Sequence, residues 1–142
     1  MTSTVEERLR FTGLQDKVMS ADAAAALINN GDTLGLSGFT RAGDAKFVPH
    51  ALVERAKGLE DFKVDVYTGA SLGFDTDALM SDAGIVRKRL PFQVDRTMRG
   101  HINKGDVGFI DQHLSVTSEY LRQGAMKIDV AIIEATAITE DG

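Results

Sequence analysis

The sequence predicts an α/β fold: an open, mostly parallel sheet with helices on its faces. Three observations predict it. Short apolar, β-branched runs alternate with longer segments of helical spacing along the chain. Glycines stand where those helices would close, at Gly31, Gly58, Gly84 and Gly124. A chain of 142 residues, 43% hydrophobic and 26% charged, suffices for one ordinary core.

The elements follow in order. Residues 1–19 are polar and without strong period, and read as an exposed arm or lead-in helix ahead of a domain over 20–142. Ser20 is placed to cap an alanine-rich helix over 21–29, closed at Asn30-Gly31. Asp32 to Phe39 reads as the first buried strand. Pro49 suits the first position of the next helix, with Val48, Leu52 and Ala56 at helical spacing. Lys63 to Gly69 alternates and reads as a second strand. A short helix over 76–83, capped by Asp75, precedes a third strand over 85–90. Residues 92–104 carry Arg96, Arg99, His101 and Lys104 and fit either a helix or a basic loop. Val107 to Ile110 gives a fourth strand, Ser115 caps a helix to Gln123, and Ile128 to Ala135 is the strongest strand pattern in the chain.

Composition removes several functions. A net charge of −5 and a pI near 5.1 leave no clustered positive charge for a nucleic acid or an anionic membrane. With no cysteine there is no disulfide, thiolate nucleophile or cysteine-based zinc site. No apolar leader or membrane-length run is visible. The expectation is a cytoplasmic protein. The histidines, His50, His101 and His113, are spaced by 51 and 12 residues and form no local metal motif, so no metal is expected.

Two loops could meet a ligand. In TLGLSGFTRAGDAKFVP an apolar strand stops at Ser37-Gly38, and Phe39, Thr40 and Gly43 lead to a helix start, a geometry in which backbone N–H groups can face a ligand. The spacing is neither a Walker A loop nor G-x-G-x-x-G, and an ordinary strand-to-helix connection is the simpler reading of it. Thr68-Gly69-Ala70-Ser71 ends the second strand, where parallel sheets place their sites. No His/Asp pair is positioned to make Ser71 a nucleophile, and G-x-S-x-G is absent. A turn-capping serine is the plain alternative. Arg99, in VDRTMR, could pair with a carboxylate or phosphate. Glu134 interrupts an apolar run, and as a buried carboxylate it would need a polar partner.

The ordered blocks SGFTRAGDAKFVP, VYTGASLG, RLPFQVDRTMRGHIN, FIDQHLS and AIIEATAITEDG resemble the acetyl-CoA hydrolase and acetate (succinyl-CoA:acetate) CoA-transferase family, over most of the chain from Gly31 to Gly142. The resemblance implies a CoA-transferase-type sheet and an N-terminal domain, truncated relative to the family. It implies chemistry in which a glutamate attacks an acyl-CoA thioester to give an acyl-glutamyl anhydride and then a glutamyl-CoA thioester. That glutamate belongs to the family's second half. No catalytic residue is therefore expected here, and whether this chain is itself an enzyme stays open. The resemblance assigns substrate lining to Gly38, Phe39, Thr40, Gly43, Gly69, Ala70 and Ser71. It implies coenzyme A as substrate, with no bound cofactor. The implied partners are acyl-CoA and short carboxylates such as acetate or succinate, with a homo-oligomer or a missing C-terminal half completing the protein. The sequence departs from the family's pattern at Arg41 and Ala45, where glycine and proline are usual. A non-catalytic ligand- or partner-binding module remains the alternative, and a sugar-phosphate isomerase of related architecture a third reading.

The run VAIIEATAI has the character of a central strand. Without a neighbour it would leave apolar surface or an open edge, so self-association of the chain is expected.

Overall fold

The structure, a computed structural model, describes residues 4–142. The first three residues of the expected arm lie outside them. Five parallel strands form one sheet: β1 (Thr33–Leu36), β2 (Val64–Tyr67), β3 (Val86–Leu90), β4 (Gly108–Phe109) and β5 (Val130–Ile132), in the order β4-β3-β2-β1-β5. Helices α1 (Val5–Arg8), α2 (Ala21–Ala26), α3 (Phe47–Ala56), α4 (Leu79–Asp82), α5 (Arg96–Lys104) and α6 (Leu114–Arg122) connect or precede them.

The core lies between one face of the sheet and the row α2 to α5. Leu34, Leu36, Val64, Val66 and Val86 point into it from the strands, against Ile28, Leu52, Met80 and Met98. Each of these is at most 5% exposed, so each contributes about 1.5–3 kcal/mol of burial. Arg55 of α3 donates to the carbonyls of Ala25 (2.8 Å) and Ile28 (2.6 Å), satisfying the C-terminal end of α2. The opposite face is thinly covered. Its strand residues Gly35, Tyr67 and Ala131 face α6 and the segments flanking it, and α6 buries none of its residues.

Most expected elements are present with shorter bounds. Ser20 caps α2, its hydroxyl accepting from the Ala23 N–H at 3.1 Å. Pro49 is the third helical residue rather than the first; the whole first turn lacks N–H partners, so proline fits there too. The basic segment is a helix, α5, with Asp95 accepting from the Met98 N–H at 2.8 Å. Asp75 is not a cap: the helix opens at Gly73 with a π-helical turn over Phe74–Ala78. Ser115 is not a cap either; His113 stands at that position, and its ring nitrogen accepts from the Ser115 N–H. The arm holds α1 and a 3-10 turn over Thr12–Lys17, and docks beside the last residues through Arg10 N–H to the Ile138 carbonyl at 3.0 Å.

The strongest strand pattern gives three strand residues at the sheet's edge. Side chains end its ladder on both sides. The Thr33 N–H donates to Asp129 Oδ2 at 2.8 Å, and the Glu134 N–H donates to the Ser37 hydroxyl at 2.8 Å. Glu134 is itself exposed, and its amide rather than its carboxylate is engaged.

Candidate functional site

Every strand is parallel, so the loops after β1, β2 and β3 emerge on one edge of the sheet. Strand order reverses at β1: β2 to β4 lie on one side and β5 on the other. Open parallel sheets place ligands at such a switch point, outside the carboxyl ends of the strands.

The loops are stitched together by their backbones. The Thr40 N–H donates to the Ser71 carbonyl at 2.9 Å, joining the loop after β1 to the loop after β2. The Val94 N–H donates to the Ser71 hydroxyl at 2.9 Å, adding the loop after β3. Asp44 Oδ2 accepts from the Gly73 N–H at 3.0 Å, and Asp77 Oδ2 accepts from the Leu72 N–H at 2.7 Å. Two carboxylates thus grip the amides of two consecutive residues of one loop.

Behind them lies a buried polar network. Arg89 is 0% exposed and Asp77 1%, and Arg89 Nε donates to Asp77 Oδ1 at 2.9 Å. The same guanidinium donates to the Thr68 hydroxyl at 2.9 Å and to the Leu90 carbonyl. This satisfies both charges with hydrogen bonds, the condition for keeping an ion pair inside a fold. Gln93 Nε2 donates to the Pro91 carbonyl at 2.8 Å, tightening the third loop.

The structure spreads the seven sequence-predicted residues over a scaffold and two mouths. Gly38, at φ 136°, is required by space: a Cβ there would stand 2.3 Å from Asp44 Oδ1 and 2.6 Å from Leu72 Cδ2. Gly43, at φ 71°, turns the loop, and its carbonyl accepts from the Ser37 hydroxyl at 2.7 Å. Ala70 and Ser71 are buried, and the Ser71 hydroxyl is held by the network rather than facing solvent. Phe39 is 59% exposed.

Thr40 and Gly69 reach open pockets. Thr40 lines a pocket of about 360 Å³ with Arg41, Gly73, Phe74, Asp95 and Arg96. Gly69 lines one of about 340 Å³ on the thinly covered face, beside Gly35, Ser37, Leu121, Met126 and Ile133. The first mouth is polar and cationic, with the Arg41 guanidinium 5.1 Å from the centre of the Phe74 ring. The second is apolar. Gly35 gives it depth, since a Cβ there would press on Ile128 at 3.1 Å. Among the described residues no three His, Asp or Glu side chains gather as a metal would need. No helix among them is long and apolar enough to cross a membrane.

Asp44, Asp77, Arg89 and Gln93 were not singled out by sequence reasoning. Only Arg89 carried a signal, as a charge beside Leu90 in a strand with apolar ends.

The comparisons agree with this architecture. A family model described as the acetyl-CoA hydrolase/transferase N-terminal domain matches residues 3–142. The chain is 46% identical over 139 residues to a succinyl-CoA:acetate CoA-transferase of Clostridium kluyveri, covering 96% of this chain and 26% of that protein. It is 36% identical over 153 residues to an acetyl-CoA hydrolase of Schizosaccharomyces pombe, covering 100% of this chain and 29% of the other. Among solved structures, an acyl-CoA transferase of Escherichia coli O157:H7 in a thioester complex with CoA superimposes with a TM-score of 0.66 at 15% identity, covering 87% of this chain and 26% of that one. The glutaconate CoA-transferase of Acidaminococcus fermentans does so at 0.64 and 21% identity, over 77% of this chain and 35% of that one. These two likenesses show the fold. The chain spans between about a quarter and three-tenths of the curated relatives' length.

Proposed function

Because the chain belongs to the acetyl-CoA hydrolase/transferase N-terminal domain family, we propose that it is the substrate-lining part of an acyl-CoA hydrolase or CoA-transferase. Its substrates are acyl-CoA thioesters and short carboxylates such as acetate or succinate. Coenzyme A enters as substrate and not as a resident cofactor. The nucleophile that attacks the thioester is supplied from outside these 142 residues.

One observation carries this reading. Three loops at the carboxyl edge of a parallel sheet are fixed to one another through Ser71, by the Thr40 N–H on its carbonyl and the Val94 N–H on its hydroxyl. A surface pre-ordered in this way lines a reacting centre without spending substrate binding energy on ordering loops. Gly38 and Gly43 shape the first loop, Ala70 and Ser71 anchor the second, and Thr40 and Gly69 face the open pockets.

The test is acetyl-CoA turnover by the purified chain, with and without acetate or succinate, with released CoA read by a thiol reagent. The protein has no cysteine and adds no background. No turnover by the folded chain, and turnover on adding the remainder of a relative's polypeptide, is the expected pair of results. Turnover by the chain alone would place a nucleophile within it and overturn this division of labour. CoA binding that never supports turnover, with any completing half, would favour the non-catalytic binding module.

A further inference from the structure

We propose that residues 111–127, with α6 at their centre, are a flap that opens and closes as one unit over the thinly covered face while the rest of the chain stays folded. The inference needs neither a substrate nor a completing half, and so stands apart from the reading above.

The hydrogen bonds decide it. Among the described residues, every hydrogen bond and ion pair made by residues 111–127 stays within that segment. The Val116 N–H donates to the His113 carbonyl at 3.1 Å, and the Gln123 N–H to the Glu119 carbonyl at 2.9 Å. The Gly124 N–H donates to the Leu121 carbonyl at 3.2 Å and the Met126 N–H to the Tyr120 carbonyl at 3.1 Å, which folds the end of the segment back onto its helix. Gln112 Nε2 donates to the Thr117 hydroxyl at 2.6 Å, and Arg122 pairs with Glu119. Bonds to the body of the molecule stand just outside the segment. On one side the Ile110 N–H donates to the Arg89 carbonyl at 3.0 Å. On the other the Asp129 N–H donates to the Thr33 carbonyl at 2.9 Å, and the Thr33 N–H to Asp129 Oδ2 at 2.8 Å. The segment is a self-bonded body hung between two fixed ends.

Packing adds little to hold it down. α6 buries none of its nine residues, and Leu114, Tyr120 and Leu121 are all exposed. Leu114 reaches the loop after β2, its Cδ1 3.7 Å from where a Cβ on Gly69 would stand. The apolar pocket of about 340 Å³ is bordered by Thr117 and Leu121, and a second pocket of about 490 Å³ by Gln112 and Tyr120. Open space therefore meets α6 on two sides. The other long helices are seated differently. α3 buries Pro49, Ala51, Leu52 and Val53, and its Arg55 bonds to α2. α5 buries Met98, and its His101 bonds to Asp82 of α4.

Segments with few buried apolar contacts and solvent-facing hydrogen bonds are the first to open. A nine-residue helix is not stable once detached, so leaving the sheet and losing its internal bonds are one event. Opening bares Gly35, Tyr67 and Gly69, part of the wall of the apolar pocket.

The experiment is native-state amide hydrogen exchange on the intact ¹⁵N-labelled chain in dilute solution. The amides of Gln123, Gly124 and Met126 should share one opening equilibrium, with protection lower than in α3 by roughly a hundredfold. Ile110 and Asp129, bonded to the fixed frame, should stay as protected as the sheet. Leu114→Ala removes the contact with Gly69 at one end of the segment without weakening the helix itself. It should speed exchange at Gln123, Gly124 and Met126 by the same factor as at Val116, about fivefold, and leave α3 unchanged. Protection in the segment equal to that of α3 overturns the flap. So does a Leu114→Ala effect confined to the neighbours of residue 114, which would mean independent fraying. Opening of Ile110 and Asp129 together with the segment would overturn its two fixed ends.

Discussion

Asp77 and Arg89 meet at 2.9 Å with neither more than 1% exposed, and the same aspartate also accepts the Leu72 N–H of the candidate site. The ion pair is thus part of the site's foundation. Its loss would be felt in stability and in the loop together.

Asp77→Ala leaves a buried guanidinium without its charge partner and frees the Leu72 amide. The expected cost is about 3–5 kcal/mol in urea or guanidinium unfolding. The double variant Asp77→Leu/Arg89→Met should be less destabilised than Asp77→Ala, because no buried charge is left alone. A double variant as unstable as the sum of the single ones would show that the pair contributes more than mutual neutralisation.

Two glycines of the first loop separate space from dihedral. Gly38→Ala places a methyl 2.3 Å from Asp44 Oδ1 at φ 136°, and should cost about 3 kcal/mol or more. At Gly43 a methyl meets nothing within 4 Å and only the φ of 71° is opposed, for about 1 kcal/mol. Thermal unfolding of the two variants checks the order.

His101 gives a pH dependence. Its ring lies 3.1 Å from both Asp82 and Asp106, one carboxylate at each nitrogen, and these hydrogen bonds, that of Asp82 first, raise its pKa above the ordinary 6.5. A raised folded pKa means stability fully present below about pH 6.5 and lost as pH rises through the folded value. The difference in melting temperature between the wild-type chain and His101→Gln should be largest near pH 5.5 and shrink toward pH 8.5. A difference that grows with pH would contradict the charged bridge.

The free edge of β5 and the thinly covered face predict association. Ile133 is 70% exposed and Leu121 43%, and both border the apolar pocket beside an edge strand that is paired on one side only. Sedimentation velocity should show concentration-dependent association of the isolated chain, reduced by Ile133→Lys. A dilute and concentrated monomer alike, with no binding of an apolar-surface dye, would refute it.

The fold was legible because its signals are local. Ser20 precedes its helix by one residue, Gly31 follows it closely, and the β-branched runs mark strands without outside help. The ends of elements were less so. β5 was expected over eight residues and keeps three because Asp129 and Ser37, on different segments, compete for the ladder's amides. Of the candidate site the sequence marked two loops, those at Gly38 and Gly69, and these lie together at the carboxyl edge. What the Ser71 hydroxyl does is set by Val94, 23 residues on, and the hold on Leu72 comes from an aspartate whose partner Arg89 is 12 residues away. Such pairings leave no period or spacing to read.

Strand order also sets a timetable for synthesis. Strands β1 to β4 are laid down in the sequence in which they neighbour one another, so the sheet can grow in one direction as the chain leaves the ribosome. The other flank of β1 must wait for residues 130–132, nearly a hundred positions later. Until then Leu34 to Leu36 present open amides and carbonyls to whatever is near. A chaperone that shields nascent strands would find its longest opportunity there, on the strand that leads into the candidate site.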